Sequence, residues 1–246
     1  MKFSSKIQRC SLSPIRKFHP YVVAAEAKGR KVHHLNIGQP DIETPKAFFD
    51  AIQNFGESVL AYAPSPGVEP YVEAVRDYYA DMGFPIACDD ILATYGGSEA
   101  LQIILSCILE EGDEILIPEP YYPNYEIFVH VTGAAIRPIE TSPEEGYRYA
   151  SRDRIEPLIN EHTRAILVTN PGNPTGVVLT ETEMRTLADI AREHDLFLLS
   201  DEVYRELVYG GQKLSSMLEF EDAAENVVVV DSVSKRFSAT GSRVGV

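Results

Sequence analysis

The sequence predicts an α/β fold built on a mostly parallel sheet. Three observations lead there. Five short apolar runs recur along the 246 residues, each ends abruptly in Gly, Pro, Ser, Asn, Asp or Tyr, and amphipathic helical patterns lie between several of them. Short continuous apolar runs suit strands buried on both faces, the condition of a parallel sheet covered by helices.

The first run is ILATYGGSEA (91–100), read as a strand that gives way to a helix over SEALQIILSCILEEGD, with Ser98 as cap and Gly112 as stop. EILIPEPYYPNY (114–125) is the second strand and AILVTNPGNPTG (165–176) the third. TETEMRTLADIAREHD then reads as a helix. Thr180 and Glu183 form its capping box, and Met184, Leu187, Ala188 and Ala191 share one apolar face. LFLLSDEVY (196–204) and VVVVDSVSK (227–235) complete the strands. Alternation of strand and helix implies right-handed crossovers. In open sheets of this kind ligands bind beyond the carboxyl ends of the strands, so the five polar clusters are expected to converge.

Bulk composition narrows the function. Lys and Arg total 22 against 37 for Asp and Glu, a net charge of −15. Nucleic-acid affinity rests on neutralising phosphates with cations, so this balance disfavours DNA or RNA as partner. No apolar run approaches the length of a membrane span. Cys10, Cys88 and Cys107 are odd in number and show no C-x-x-C spacing, which reads as reduced thiols in the cytoplasm. His33 and His34 are adjacent, point to opposite faces of an extended segment and cannot share a metal. Residues 1–20 are basic and free of acids, weakly like a transit peptide, but prolines at 14 and 20 break them, and they read as a basic arm.

Each polar cluster carries a different chemistry. GGSEAL (96–101) offers backbone N–H groups and the Ser98 hydroxyl at a helix start, suited to an anion, although it lacks the patterned glycines of a nucleotide loop. Asp201 ends a strand, where a lone carboxylate is costly without a cation; a helix cap or a salt bridge would account for it as well as a proton held on a ligand's ring nitrogen. Tyr204 falls within reach of the same place. The proline- and glycine-rich loop 170–176 presents Asn173. YYPNY (121–125) offers aromatic faces, for packing or for stacking on a flat ligand. Arg243 is suited to a bidentate grip on phosphate, and cations near Lys235 would favour its neutral amine, the form that makes a Schiff base. Together these parts describe a planar, phosphorylated, aldehyde-bearing pyridine.

The combination N-P-x-N-P-T-G, S-D-E-x-Y and S-x-S-K-x-x-x-x-x-G-x-R resembles the class I/II aminotransferases, fold-type I enzymes dependent on pyridoxal 5′-phosphate, from about Ser13 to Val246. The resemblance implies a three-layer α/β/α large domain over 45–246 and an N-terminal arm over 1–44 that belongs with the small domain on the substrate side. It implies that Lys235 joins the cofactor as a Schiff base and later acts as general base. Asp201 would pair with the pyridinium nitrogen, Asn173 and Tyr204 would bond the ring oxygen, and Tyr122 would stack on the ring. Ser98, the Gly97–Glu99 backbone, Ser232 and Arg243 would hold the phosphate. Gly38 of NIGQPD would approach the substrate carboxylate along with Asn173. Tyr62 of AYAPSPG would reach the phosphate in a neighbouring subunit, implying a homodimer.

The implied activity is transfer of an amino group from an L-amino acid to a 2-oxo acid, with a carbon–sulfur β-lyase or a non-catalytic cofactor-binding fragment as alternatives. Family members continue past the equivalent of Val246 with a last strand and a small domain. The expectation is therefore a sheet with an unfilled slot, which 243–246 only begin to enter.

Overall fold

The computed structural model describes residues 1–10, 16–213 and 215–246; Ser13 and Pro14 of the sequence reading lie outside them. Five parallel strands form the sheet among the described residues: β1 (Glu114–Pro118), β2 (Ala135–Ile139), β3 (Thr163–Thr169), β4 (Phe197–Asp201) and β5 (Val227–Val230). Their order is β2-β1-β3-β4-β5, all neighbours parallel. The helices are α1 (Ser5–Arg9), α2 (His19–Glu26), α3 (Lys46–Gln53), α4 (Glu69–Asp81), α5 (Gly97–Ile108), α6 (Asn124–Thr132), α7 (Arg152–Ile155), α8 (Glu181–Glu193) and α9 (Val233–Arg236).

The apolar runs are continuous because both sheet faces are covered. Alternate residues divide between two cores, as the period of two along a strand requires. Leu116, Ile166, Val168 and Leu198 pack with Met184, Leu187, Ala188 and Ala191 of α8. Ile115, Ile117, Ala165, Leu167, Leu199 and Val230 face the other way, against Leu101 and Leu105 of α5 and Tyr125 and Val129 of α6. The result is the expected three-layer α/β/α arrangement. The box on α8 forms as read: Thr180 Oγ1 accepts from the Glu183 N–H, and the Glu183 carboxylate accepts from the Thr180 N–H.

Two elements differ from the sequence reading. ILAT (91–94) is not a strand; Ile91 is buried with α4, and Thr94 makes only an isolated antiparallel bridge to Gly245. The fifth strand is instead β2, AIRPI, whose Arg137 and Pro138 interrupt the apolar run that would have revealed it. It lies at the sheet edge, where proline is tolerated. The start of α5 also differs: Gly96, at φ 85°, caps it, and Ser98 lies inside the first turn. The closing residues lie between two segments. Gly245 exchanges N–H···O bonds of 2.8 and 2.9 Å with Thr94, and Val246 exchanges bonds of 2.9 and 3.0 Å with Asp231.

Candidate active site

The polar clusters do converge beyond the carboxyl ends of the strands. Tyr122 follows β1, Asn173 follows β3, Asp201 ends β4 with Tyr204 just after it, and Ser232 and Lys235 follow β5. With Gly38, Gly97, Ser98 and Arg243 they line one cleft of about 1090 Å³. That is ample for a cofactor together with a small substrate.

Lys235 projects from α9 into this cleft, where its Nζ donates to the Gly38 carbonyl at 2.5 Å and lies 5.8 Å from the Tyr204 ring centre. Burial, and then the nearby Arg243 charge, lower the Lys235 pKa. Residues 38–44 are docked on the stretch after Lys235 by two further bonds: Ser238 Oγ donates to the Ile42 carbonyl at 2.6 Å, and Thr44 Oγ1 donates to the Ser238 carbonyl at 2.6 Å.

Asp201 sits on the α5/α6 face of the sheet and is 6% exposed. Burial pushes its pKa up to about 6, although two donors favour its charged form. These are the Tyr125 hydroxyl, at 2.5 Å from Oδ2, and the Val203 N–H, at 3.3 Å from Oδ1. No ion pair to Asp201 forms among the described residues. A buried carboxylate short of a cation suits a ligand that brings one.

Asn173 Nδ2 donates to the Tyr204 hydroxyl at 3.1 Å, so the two polar tips meet at one point of the cleft. Burial and then Asp201 push the Tyr204 pKa up to about 12, keeping it a hydroxyl donor. Tyr122 packs edge-to-face on Tyr125 with ring centres 5.5 Å apart. At the other end of the cleft, α5 begins without a side-chain cap. A Cβ on Gly96 would lie 2.3 Å from Arg243 Nη2, so only glycine lets the guanidinium lie over this loop. Arg243 adopts φ 54°, a left-handed conformation that costs roughly 1–2 kcal/mol, and is tethered by the Thr240 and Tyr95 carbonyls at 3.0 and 3.3 Å. Ser232 caps α9 and accepts from the Ser234 N–H at 3.3 Å.

Two residues named from the sequence stand apart. Glu99 does not line the cleft; its carboxylate accepts from the Tyr95 N–H at 2.7 Å, and its own N–H donates to the Gly96 carbonyl. Tyr62 is fully exposed, at 105%. Conversely, Arg16 and Tyr125 line the cleft and were not singled out. YYPNY pointed to tyrosines, yet which one reaches Asp201 depends on the turn of α6.

The cleft fits pyridoxal phosphate on its own chemistry: an amine held less basic than usual, a buried carboxylate without a cation, a paired amide and phenol, and an uncapped helix start under an arginine. The profile of the family described as aminotransferase class I and II matches residues 30–246. The aspartate aminotransferase of Bacillus subtilis is 32% identical over the whole chain, and a probable aspartate/prephenate aminotransferase of Thermus aquaticus 34% identical over 89% of it. The chain spans 63% and 56% of the length of these relatives. A solved aspartate aminotransferase of Thermus thermophilus with maleate superposes on all of this chain with a TM-score of 0.91 at 30% identity, over 64% of its own length. Aminotransferases of this family depend on pyridoxal 5′-phosphate. On the match over residues 30–246 and the superposition of the whole chain, the protein belongs to the class I and II aminotransferases.

Proposed function

We propose that this protein binds pyridoxal 5′-phosphate at Lys235 and transfers the amino group of an L-amino acid to a 2-oxo acid. The observation that carries the reading is the meeting of Lys235, Asp201, Asn173, Tyr204 and Arg243 in one cleft within a chain of this family. When bound, the cofactor supplies an aldehyde that joins amines and a ring that takes up the electron pair released at the amino acid's α-carbon.

The protein's part is positional and electrostatic. Arg243, Ser232, Ser98 and the Gly97 and Ser98 backbone hold the phosphate, through charge and through N–H groups at the start of α5; the Glu99 N–H, bonded to the Gly96 carbonyl, is left out of this grip. Tyr122 covers one ring face. Asp201 holds a proton on the ring nitrogen; its burial makes an isolated anion costly and a partnered one favourable. Asn173 and Tyr204 donate to the ring oxygen. The Lys235 amine, less basic than a free lysine, would take the proton from the α-carbon and deliver it to the carbon that carried the cofactor's aldehyde. Gly38 and Asn173 face the substrate carboxylate.

Residues 1–44 serve as an arm over the substrate side and 45–246 as the cofactor domain. Tyr62, exposed in the single chain, reaches the phosphate of a second subunit in a homodimer. The cytoplasmic assignment rests on the three free cysteines.

Mixing the protein with pyridoxal phosphate is expected to produce a visible absorbance band that is missing from Lys235→Ala. A band that survives the substitution overturns the lysine assignment. With a panel of amino acids and 2-oxoglutarate, glutamate is the expected product; pyruvate and ammonia in its place would overturn transamination.

A further inference from the structure

Behind the cleft lies a second cluster of charges that the reaction does not use. Asp231, the residue after the four valines of β5, is 2% exposed. Its Oδ1 accepts the Ser232 N–H at 2.7 Å. Its Oδ2 accepts from Arg205 Nη2 at 3.0 Å, from Tyr79 at 3.3 Å and from Arg236 Nη2. Arg205 is itself 1% exposed and donates from Nη1 to Glu202 at 2.7 Å. The other oxygen of Glu202 accepts from Ser200, Ser216 and the Met217 N–H at 2.9–3.1 Å. So many buried charges are costly unless every one is paired, and here the carboxylates are.

The places of these residues in the chain matter as much as their pairing. Glu202 follows Asp201, and Arg236 follows Lys235. The cluster therefore runs from the residue beside Asp201, through Arg205 and Asp231, to the residue beside Lys235. α9, which carries Lys235, is four residues long. A single turn has almost no stability of its own and takes its orientation from whatever holds it. Successive helical residues project roughly 100° apart, so tying Arg236 down behind the sheet turns Lys235 toward the cleft.

We propose that Asp231, acting through Arg236 and Arg205, is a positioning residue that sets the direction of Lys235 and holds it in register with Asp201. The inference rests on Lys235 being the cofactor lysine. Asp231→Asn keeps the shape and the acceptor for the Ser232 N–H but removes the charge that gathers two guanidiniums. Arg236→Gln is the milder variant, because the Arg236 side chain is 14% exposed and the Arg205–Asp231 pair survives its loss.

Both variants are to be mixed with pyridoxal phosphate, and the rate of appearance of the visible band followed. Borohydride reduction and peptide mapping then give the share of cofactor on Lys235, and deuterium exchange reports α9 in the cofactor-free chain. The expected result for Arg236→Gln is capture slowed at least ~10-fold, cofactor spread to other lysines, faster exchange in α9, and partial rescue by Arg236→Lys. Asp231→Asn is expected to do the same more strongly. An Arg236→Gln protein that only melts earlier, yet captures the cofactor at the wild-type rate and on Lys235 alone, would overturn the positioning role. A wild-type chain that forms no band overturns the lysine assignment and this inference together; normal wild-type capture with unaffected variants overturns this inference alone.

Discussion

Replacing Asp201 by Asn in the cofactor-free chain should make the protein more stable at neutral pH and a worse holder of its cofactor. Burial lifts the Asp201 pKa from its ordinary 3.8 to about 6. A folded-state pKa above the unfolded value contributes stability that is present below 3.8 and lost as pH rises through about 6. Lifting the pKa this far separates the protonated and ionised forms by ~3 kcal/mol in total. About 1.4 kcal/mol of it is lost between pH 5 and pH 8. Asn cannot ionise and keeps that stability. It also fits the local bonds, since Oδ1 can still accept from the Val203 N–H. Nδ2 would then donate to the Tyr125 hydroxyl, which donates in turn to Thr169, 2.8 Å away. Urea unfolding of both proteins at pH 5 and pH 8 measures the difference. Asn should gain on Asp by ~1.4 kcal/mol across that interval, while losing affinity for pyridoxal phosphate. A stability difference that stays flat with pH, or shifts toward Asp, would refute the claim that Asp201 is a burial-strained carboxylate awaiting a cation.

Tyr125→Phe removes the donor that favours ionised Asp201 and so raises its pKa further. It should lose ~1.5–3 kcal/mol at pH 8, the usual worth of a hydrogen bond to a charge, and less at pH 4, read by the same urea titrations. Gly96→Ala places a methyl 2.3 Å from Arg243 Nη2 at a φ of 85°. The variant is expected to lose at least ~1 kcal/mol of stability and, more tellingly, its phosphate grip. Calorimetric titration with pyridoxal phosphate should show the weakened affinity, and unchanged affinity would remove Arg243 from the phosphate site.

Much of the fold was legible because it is written locally. β1, β3, β4 and β5 are apolar runs whose alternate residues serve two cores, and the Thr180–Glu183 box needs only residues three apart. β2 escaped because an edge strand tolerates Arg137 and Pro138. Residues 91–94 misled because their apolar run reads as a buried strand, whereas Ile91 alone is buried, Leu92 is exposed and the backbone makes only the isolated bridge at Thr94. The start of α5 was misplaced by two residues because a glycine at positive φ supplies no side-chain signal.

The candidate site divides along the same line. Lys235, Asp201, Asn173, Tyr204 and Arg243 were named from motif chemistry and the rule that strand ends converge, and the sequence alone determined which chemical groups would be present. Tyr125 at Asp201, 76 residues away, and Arg205 between Glu202 and Asp231 came only with the tertiary structure. A hydrogen bond depends on which atoms arrive within about 3 Å of each other, and helix rotation and strand order set that distance. The residue types therefore declare the chemistry, and packing decides which carboxylate is strained, which tyrosine relieves it and which way the lysine points.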